Sequence, residues 1–172
     1  MADHPDCESR FNGIYDQFAR KVYAYFSSGF GPDVAEDLTQ QTFLNVWRHL
    51  EGNPRMAPDS WAAWIFRVAH NVRNDHLRAR GYRQPPLPYE DAIATATEGG
   101  TDDLEERIAI RTAFARLLPV EQELLLYKTI GMNSEEIGQI LGLSASAVRS
   151  RMQKARERFR LLLEENGVET DA

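Results

Sequence analysis

The sequence predicts an all-α chain of two small helical domains joined by a flexible linker, and three observations carry that prediction. Apolar residues recur at i, i+3 and i+4 through most of the 172 residues, and no useful stretch alternates with a period of two. Proline, glycine and small polar caps divide these stripes at single-helix spacings. The periodicity then fails over 84–101, QPPLPYEDAIATATEGGT, a Pro-rich and then Ala/Thr/Gly-rich acidic run with linker composition. The expected domains are 8–83 and 102–163.

The first helix runs from Glu8 to Ser27, with Phe11, Ile14, Tyr15, Phe18, Val22, Tyr23 and Phe26 as its apolar stripe, and Gly29 and Gly31 break it. An aromatic stripe at this spacing is core. Pro32 suits a first turn, and the second helix spans about Asp33 to Leu50. Its inner face is Ala35, Leu38, Thr42, Phe43, Val46, Trp47 and Leu50; Asp33, Glu36, Asp37, Gln40, Gln41 and Arg48 lie largely outside. A loop with two prolines, GNPRMAPDS, leads to Ser60 or Asp59 as the cap of a third helix, Trp61 to about Arg80. Its apolar residues include Trp61, Trp64, Ile65, Val68, Ala69, Val72 and Leu77, and its polar residues include Arg67, Asn71, Arg73, Asn74, Arg78 and Arg80. A basic helix opened by aromatics suits single-stranded nucleic acid, where rings and guanidinium planes stack on unpaired bases. Trp64 is expected mostly in the core; Trp61 is open to either role.

In the second domain Asp102 to Leu118 is helical, with Leu104, Ile108, Phe114, Ala115 and Leu118 inward. Pro119 starts the next helix, whose Leu124, Leu125, Leu126 and Tyr127 supply core, and Gly131 closes it. The stretch Asn133–Leu162 organises the chain. Asn133 caps a short helix with Glu136 at the capping-box position, Ile137, Ile140 and Leu141 form its apolar face, and Gly142 stands where positive φ is needed. Leu143 can plug the turn. Ser144 caps a second helix with Ala147, Val148, Met152, Ala155, Phe159 and Leu162 on one face. From Ser144 to Arg160 six cations face one acid, Glu157. A capped brace, a Gly turn and a one-sided basic stripe together read as a helix-turn-helix sized for the DNA major groove. Ser146, Arg149, Ser150 and Gln153 are placed to reach base edges, with residues further along meeting phosphates.

Composition bounds these readings. A net charge of −6 argues against a chain that coats nucleic acid everywhere, but the charge is unevenly distributed. Residues 61–83 hold five arginines against Asp75, while 84–106 hold seven acids and no Lys or Arg. Cys7 is the single cysteine, so no internal disulfide can form and a reducing compartment is the default. No apolar run approaches the ~20 residues of a membrane span, and MADHPDCESR is not a signal peptide. The expectation is a cytoplasmic protein without membrane insertion.

Three segments in series, AEDLTQQTFLNVW, WAAWIFRVAHNVRNDHLRAR and LPVEQELLLYKTIGMNSEEIGQILGLSASAVRSRMQKARERF, resemble the extracytoplasmic-function sigma factors of the sigma-70 family, in order and with matching separations. The resemblance implies a sigma-2-like three-helix domain, a sigma-4-like helix-turn-helix domain and promoter recognition during transcription initiation. Asp37, Gln40 and Gln41 then fall where the family binds the β′ clamp helices of core RNA polymerase; Gln41 stands where Glu is frequent. The 52–60 loop matches the one that captures a flipped base of the −10 element, with Trp61 beside it. Asn71 matches a position facing that strand, and Arg67, Arg73 and Arg78 are phosphate candidates. Arg149, Ser150, Gln153 and Lys154 match −35 positions, and Ala147 stands where Thr is common. Docking on the β flap and an anti-sigma partner are also implied.

Two other readings compete. A stand-alone dimeric helix-turn-helix regulator accounts for 133–162 and leaves the 33–50 helix and the arginine-rich 61–83 segment unexplained. An enzyme using His70, Asp75 and His76 needs a metal pair at i, i+4, whereas these histidines are six apart on different helix faces. No nucleophile elbow or phosphate loop is present, so no catalytic residue, metal or cofactor is expected.

Overall fold

A computed structural model describes residues 5–81 and 104–168. The 84–101 linker expectation and Arg83 lie outside the described residues, among which there are seven helices and no strand. They are α1 (Pro5–Ser27), α2 (Pro32–Gly52), α3 (Trp61–Ala79), α4 (Leu104–Ala115), α5 (Pro119–Thr129), α6 (Ser134–Leu141) and α7 (Ala145–Glu165). None is long and apolar enough to cross a membrane.

Helices α1, α2 and α3 pack around Val22, Phe26, Val46, Leu50, Ile65 and Phe66, all fully buried. Thr39 and Thr42 also point inward, where their hydroxyls donate to Ala35 O and Leu38 O at 2.7 and 2.8 Å, so neither buries an unmatched polar group. Tyr15 and Tyr23, expected in this core, are 46% and 40% exposed, and Tyr25 is buried instead. The inward face runs 14, 18, 22, 25, 26; Tyr23 lies one step of about 100° off it. Tyr15 sits at its edge, covering Phe43 at 4.8 Å between ring centroids.

In the second domain α5 and α6 pack on α7, and α4 lies along the far half of α7 through Ala113, Leu117 and Leu162. Ile108 and Leu118 were expected inward and are 55% and 50% exposed. The small Ala109 and Ala113 are buried instead, Ala113 in a cluster with Leu162 of α7, and Ile108 lies outside. Leu118 precedes Pro119, which disfavours the helical region, so it adopts φ −64°, ψ 149° as the residue before α5. Its amide donates to Glu121 Oε2 at 2.8 Å, and its side chain faces solvent.

The two domains share a core. Leu124, Tyr127, Met132, Ile137, Ile140, Val148 and Met152 belong to the same contiguous buried cluster as the first domain's aromatics, because α6 packs on α3.

Candidate nucleic-acid and partner interfaces

Local chemistry builds the helix-turn-helix as expected. Asn133 Oδ1 accepts from Glu136 N at 2.9 Å, and Glu136 Oε2 accepts from Asn133 N at 3.0 Å, a closed capping box. Gly142 takes φ 68°, a left-handed conformation that most side chains avoid. Ser144 Oγ then accepts from Ala147 N at 3.1 Å to start α7. One glycine escaped sequence reasoning. Gly138 lies inside α6, and a Cβ there would sit 2.4 Å from Leu143 O, so the turn can fold back only over a bare α-carbon. An interior helix glycine is the signal that was available.

On α7, Val148, Met152, Ala155 and Leu162 are buried, while Ser146, Arg149, Ser150, Gln153 and Lys154 are all exposed at i, i+3, i+4, i+7, i+8 on one stripe. Arg149 lies 3.7 Å from Glu135 across the turn. Farther along, Arg160 is held between Glu157 at 2.8 Å and Glu164 at 2.5 Å, and its hydrogen bond draws the Glu157 carboxyl below its ordinary range. Among the described residues Arg151, Lys154 and Arg156 have no ion pair, so unpaired positive charge gathers on the half of α7 nearer the turn. Lys128, in the last turn of α5, borders the same concave surface with Arg149, Gln153 and Arg156. It was missed because a lysine there also suits the helix dipole.

On α3 the candidates divide. Arg67, Asn71 and Arg78 are exposed along one stripe, and Arg78 pairs with Asp75 at 2.5 Å. Arg73 turns away from this stripe by more than a third of the helix circumference; its side chain is 11% exposed and pairs with Glu123 of α5 at 3.0 Å. Glu123 Oε1 also lies 3.2 Å from His70 Nδ1. Beside this pair Tyr127 inserts between first-domain rings, stacked on Tyr25 at 5.4 Å and edge-on to Phe66 at 6.1 Å. Its hydroxyl donates to Tyr25 Oη at 3.2 Å. Burial pushes both phenols far above the ordinary tyrosine range; Glu123 reinforces the shift at each, and Arg73 opposes it. His70 and His76 have separate surroundings. His70 Nε2 is 2.9 Å from Asn74 Nδ2, and His76 packs edge-on to Phe30 with its pKa lowered by burial and by Arg80.

The loop before α3 is held from three sides. Met56 N donates to Asn53 O at 3.0 Å. Ser60 Oγ accepts from Ala63 N and donates to Glu136 Oε1 at 2.7 Å, which links the N-terminus of α3 to that of α6. From α1, Arg10 donates to the carbonyls of Pro54 and Met56, and its guanidinium lies 5.8 Å from the Trp61 ring centre. Trp61 and Trp64 are both partly buried and meet edge to face at 5.8 Å.

On α2, Asp37, Gln40 and Gln41 are exposed and share one face. Gln41 donates to Asn45 at 3.1 Å. The same face carries Leu44, 43% exposed and absent from the sequence-based candidates. Its i+3, i+4, i+7 relation to the polar trio was the available signal.

Comparison with known proteins gives two family matches. The sigma-70 region 2 profile covers residues 14–83, and the sigma-70 region 4 profile covers 107–159. The ECF RNA polymerase sigma factor SigE of Mycolicibacterium smegmatis is 32% identical over 162 residues, covering 90% of this chain and 62% of SigE, so the chain spans less than two thirds of that relative. The RNA polymerase sigma factor CarQ of Myxococcus xanthus is 33% identical over 168 residues, covering 94% of each chain. The structure of CnrH, a sigma factor of Cupriavidus metallidurans, in complex with the cytosolic domain of CnrY aligns with TM-score 0.67 over 92% of this chain and 90% of that one, at 24% identity.

Proposed function

Because the chain belongs to the extracytoplasmic-function sigma factors of the sigma-70 family, we propose that it directs core RNA polymerase to promoters through −10 and −35 elements. The observation that carries this reading is the exposed stripe Ser146, Arg149, Ser150, Gln153, Lys154 on a capped, Gly-turned helix, in series with a matched region 2. In this reading residues 8–83 and 102–163 are the two functional units. Within the α7 stripe Ser146, Arg149, Ser150 and Gln153 read −35 base edges, with Lys154, Lys128 and Arg156 near phosphates. Trp61, Arg67, Asn71 and Arg78 face the −10 strand beside the 52–60 loop, which takes the flipped base; flipping costs roughly a few kcal/mol and is cheapest at weak pairs. The α2 face of Asp37, Gln40, Gln41 and Leu44 meets the β′ clamp helices, and the second domain docks on the β flap.

Arg73 cannot contact a phosphate while paired to Glu123, so its part in −10 binding follows separation of the domains. An anti-sigma partner fits the same scheme, in line with the complex in which CnrH was solved. The chain itself performs recruitment and strand capture, with no covalent chemistry, metal or cofactor.

The test is run-off transcription with bacterial core polymerase on pooled promoter fragments, with and without the protein. New start sites preceded by two common elements support the reading. Failure to bind core or to redirect initiation overturns it.

A further inference from the structure

We infer that Arg10 is the positioning residue of the −10 loop: from α1 it fixes the backbone that forms the base pocket, without itself being a DNA contact. The inference rests on reading 52–60 as the strand-capture loop. That loop has few means of holding its own shape. Pro54 and Pro58 lack amide donors, and Met56 N to Asn53 O is its one internal backbone hydrogen bond among the described residues. Carbonyls at Pro54 and Met56 point instead to a single guanidinium 44 and 46 residues earlier in the chain.

The planar fork of arginine suits this task. It offers several donors in fixed directions, so two carbonyls two residues apart are held at a set spacing. The same guanidinium lies 5.8 Å from the centre of Trp61, the first residue of α3. One side chain therefore ties both ends of the loop, and a shallow concavity lined by Gly52, Asn53, Pro54, Arg55 and Met56 lies in the backbone it sets. The positive charge of Arg10 is directed at carbonyl oxygens and a ring face, which leaves strand contact to the exposed Arg67, Asn71 and Arg78 of α3.

Among the described residues Arg10 is the one side chain that holds the Pro54 and Met56 carbonyls, and that arrangement predicts a specific failure. When the anchor is lost, the loop samples several shapes, and discrimination among bases falls while charge attraction to the strand persists. A phosphate contact fails differently: all sequences weaken alike and the salt slope drops by about 0.7 per phosphate on single strands.

The experiment uses the full chain, wild type, Arg10→Gln and Arg10→Lys, with Arg20→Gln on the exposed side of α1 as control. The probes are single-stranded oligonucleotides carrying the −10 sequence defined by run-off start sites, with each base substituted in turn, read by fluorescence anisotropy at several salt concentrations. Arg10→Gln is expected to reduce discrimination at the captured base by about tenfold, the scale of one good base contact, with an unchanged salt slope and unchanged −35 duplex affinity. Arg10→Lys, which keeps charge without the fork, should fall between. Full discrimination in Arg10→Gln, or uniform weakening with a smaller salt slope, overturns the inference. If the Gln variant loses its thermal transition, the Lys variant decides by the same two criteria. Failure of the wild type to redirect polymerase is a separate result that overturns the sigma reading itself.

Discussion

Replacing Gly138 by alanine is expected to destabilise the protein, against the usual rule for a helix interior. Alanine in place of glycine within a helix ordinarily stabilises by roughly 0.5–1 kcal/mol, since glycine loses more backbone entropy on folding. At Gly138 the new Cβ would stand 2.4 Å from Leu143 O and 3.4 Å from Leu143 C. Both are backbone atoms, so no rotamer change relieves the contact. The turn is fixed on each side: Leu143 N donates to Gly138 O at 2.9 Å, Gly142 holds φ 68°, and Ser144 caps α7. Reaching ordinary contact requires α6 and the turn to part by about an ångström, an overpacking cost of about 1–3 kcal/mol. Set against the propensity gain, the net loss is up to about 2.5 kcal/mol. Gly13→Ala is the matched control, because Gly13 also lies inside a helix and a Cβ there meets nothing within 4 Å. Circular dichroism melts of both variants should move in opposite directions. The displaced turn should also weaken −35 duplex binding in Gly138→Ala alone. If Gly138→Ala matches Gly13→Ala in sign and size, the close approach does not constrain the turn and the reasoning is wrong.

Arg149→Ala should relax base preference at one −35 position by about 1–3 kcal/mol, whereas Lys154→Ala should weaken all duplexes nearly alike; competition binding on single-base promoter variants separates the two patterns. Glu123→Gln removes the charge that holds Arg73, so affinity for single-stranded DNA should rise and the salt slope should grow by about 0.7; an unchanged slope means that Arg73 does not reach phosphate. For Tyr25 and Tyr127 the folded pKa lies above the unfolded value of about 10. Between those values the native state binds more protons, so their stabilisation is complete below about pH 10 and is lost as pH rises through the folded pKa. Ultraviolet titration should show Tyr25 and Tyr127 resisting ionisation above the ordinary tyrosine range for as long as the fold persists, and Tyr127→Phe should soften the alkaline loss of stability. Leu44→Asp on the α2 face should abolish core-polymerase binding in pull-down while the melt stays unchanged; retained binding removes that face from the interface.

Much of this fold was legible because its signals are local. Caps at Ser60, Asn133 and Ser144, the Glu136 capping box and the Gly142 turn depend on residues three or four apart, and each takes the form its spacing demands. The exposure of Ser146, Arg149, Ser150 and Gln153 on one face of α7 followed from the same periodicity. What escaped was rotation and long-range partnership. Tyr23 and Tyr25 carry equal hydropathy; Tyr25 is the one in phase with the inward face, where it packs against Phe66 and Tyr127. Ile108 is exposed while the smaller Ala109 and Ala113 are buried, Ala113 in a cluster with Leu162 of α7. Arg73 reads as one more cation of a basic helix until Glu123, 50 residues away, faces it.

The contact between the domains combines two kinds of interaction with different consequences for separation. The caps are self-sufficient. Ser60 Oγ accepts from Ala63 N whether or not it donates to Glu136, and Glu136 uses one carboxylate oxygen for Asn133 N and the other for Ser60. Parting the domains breaks that shared hydrogen bond and leaves α3 and α6 capped. The Tyr127 ring and the Arg73–Glu123 pair are the opposing elements, since both are buried by the contact and must be rehydrated when it opens. Water rehydrates a tyrosine face poorly, whereas in the proposed −10 reading a phosphate takes the place of Glu123 at Arg73, charge for charge. DNA therefore offsets the polar part of the opening cost and not the aromatic part. Tyr127→Ala should accordingly open the molecule in the absence of DNA, visible as a larger radius of gyration by small-angle scattering. Glu123→Gln should leave the free protein closed and shift only its response to single-stranded DNA.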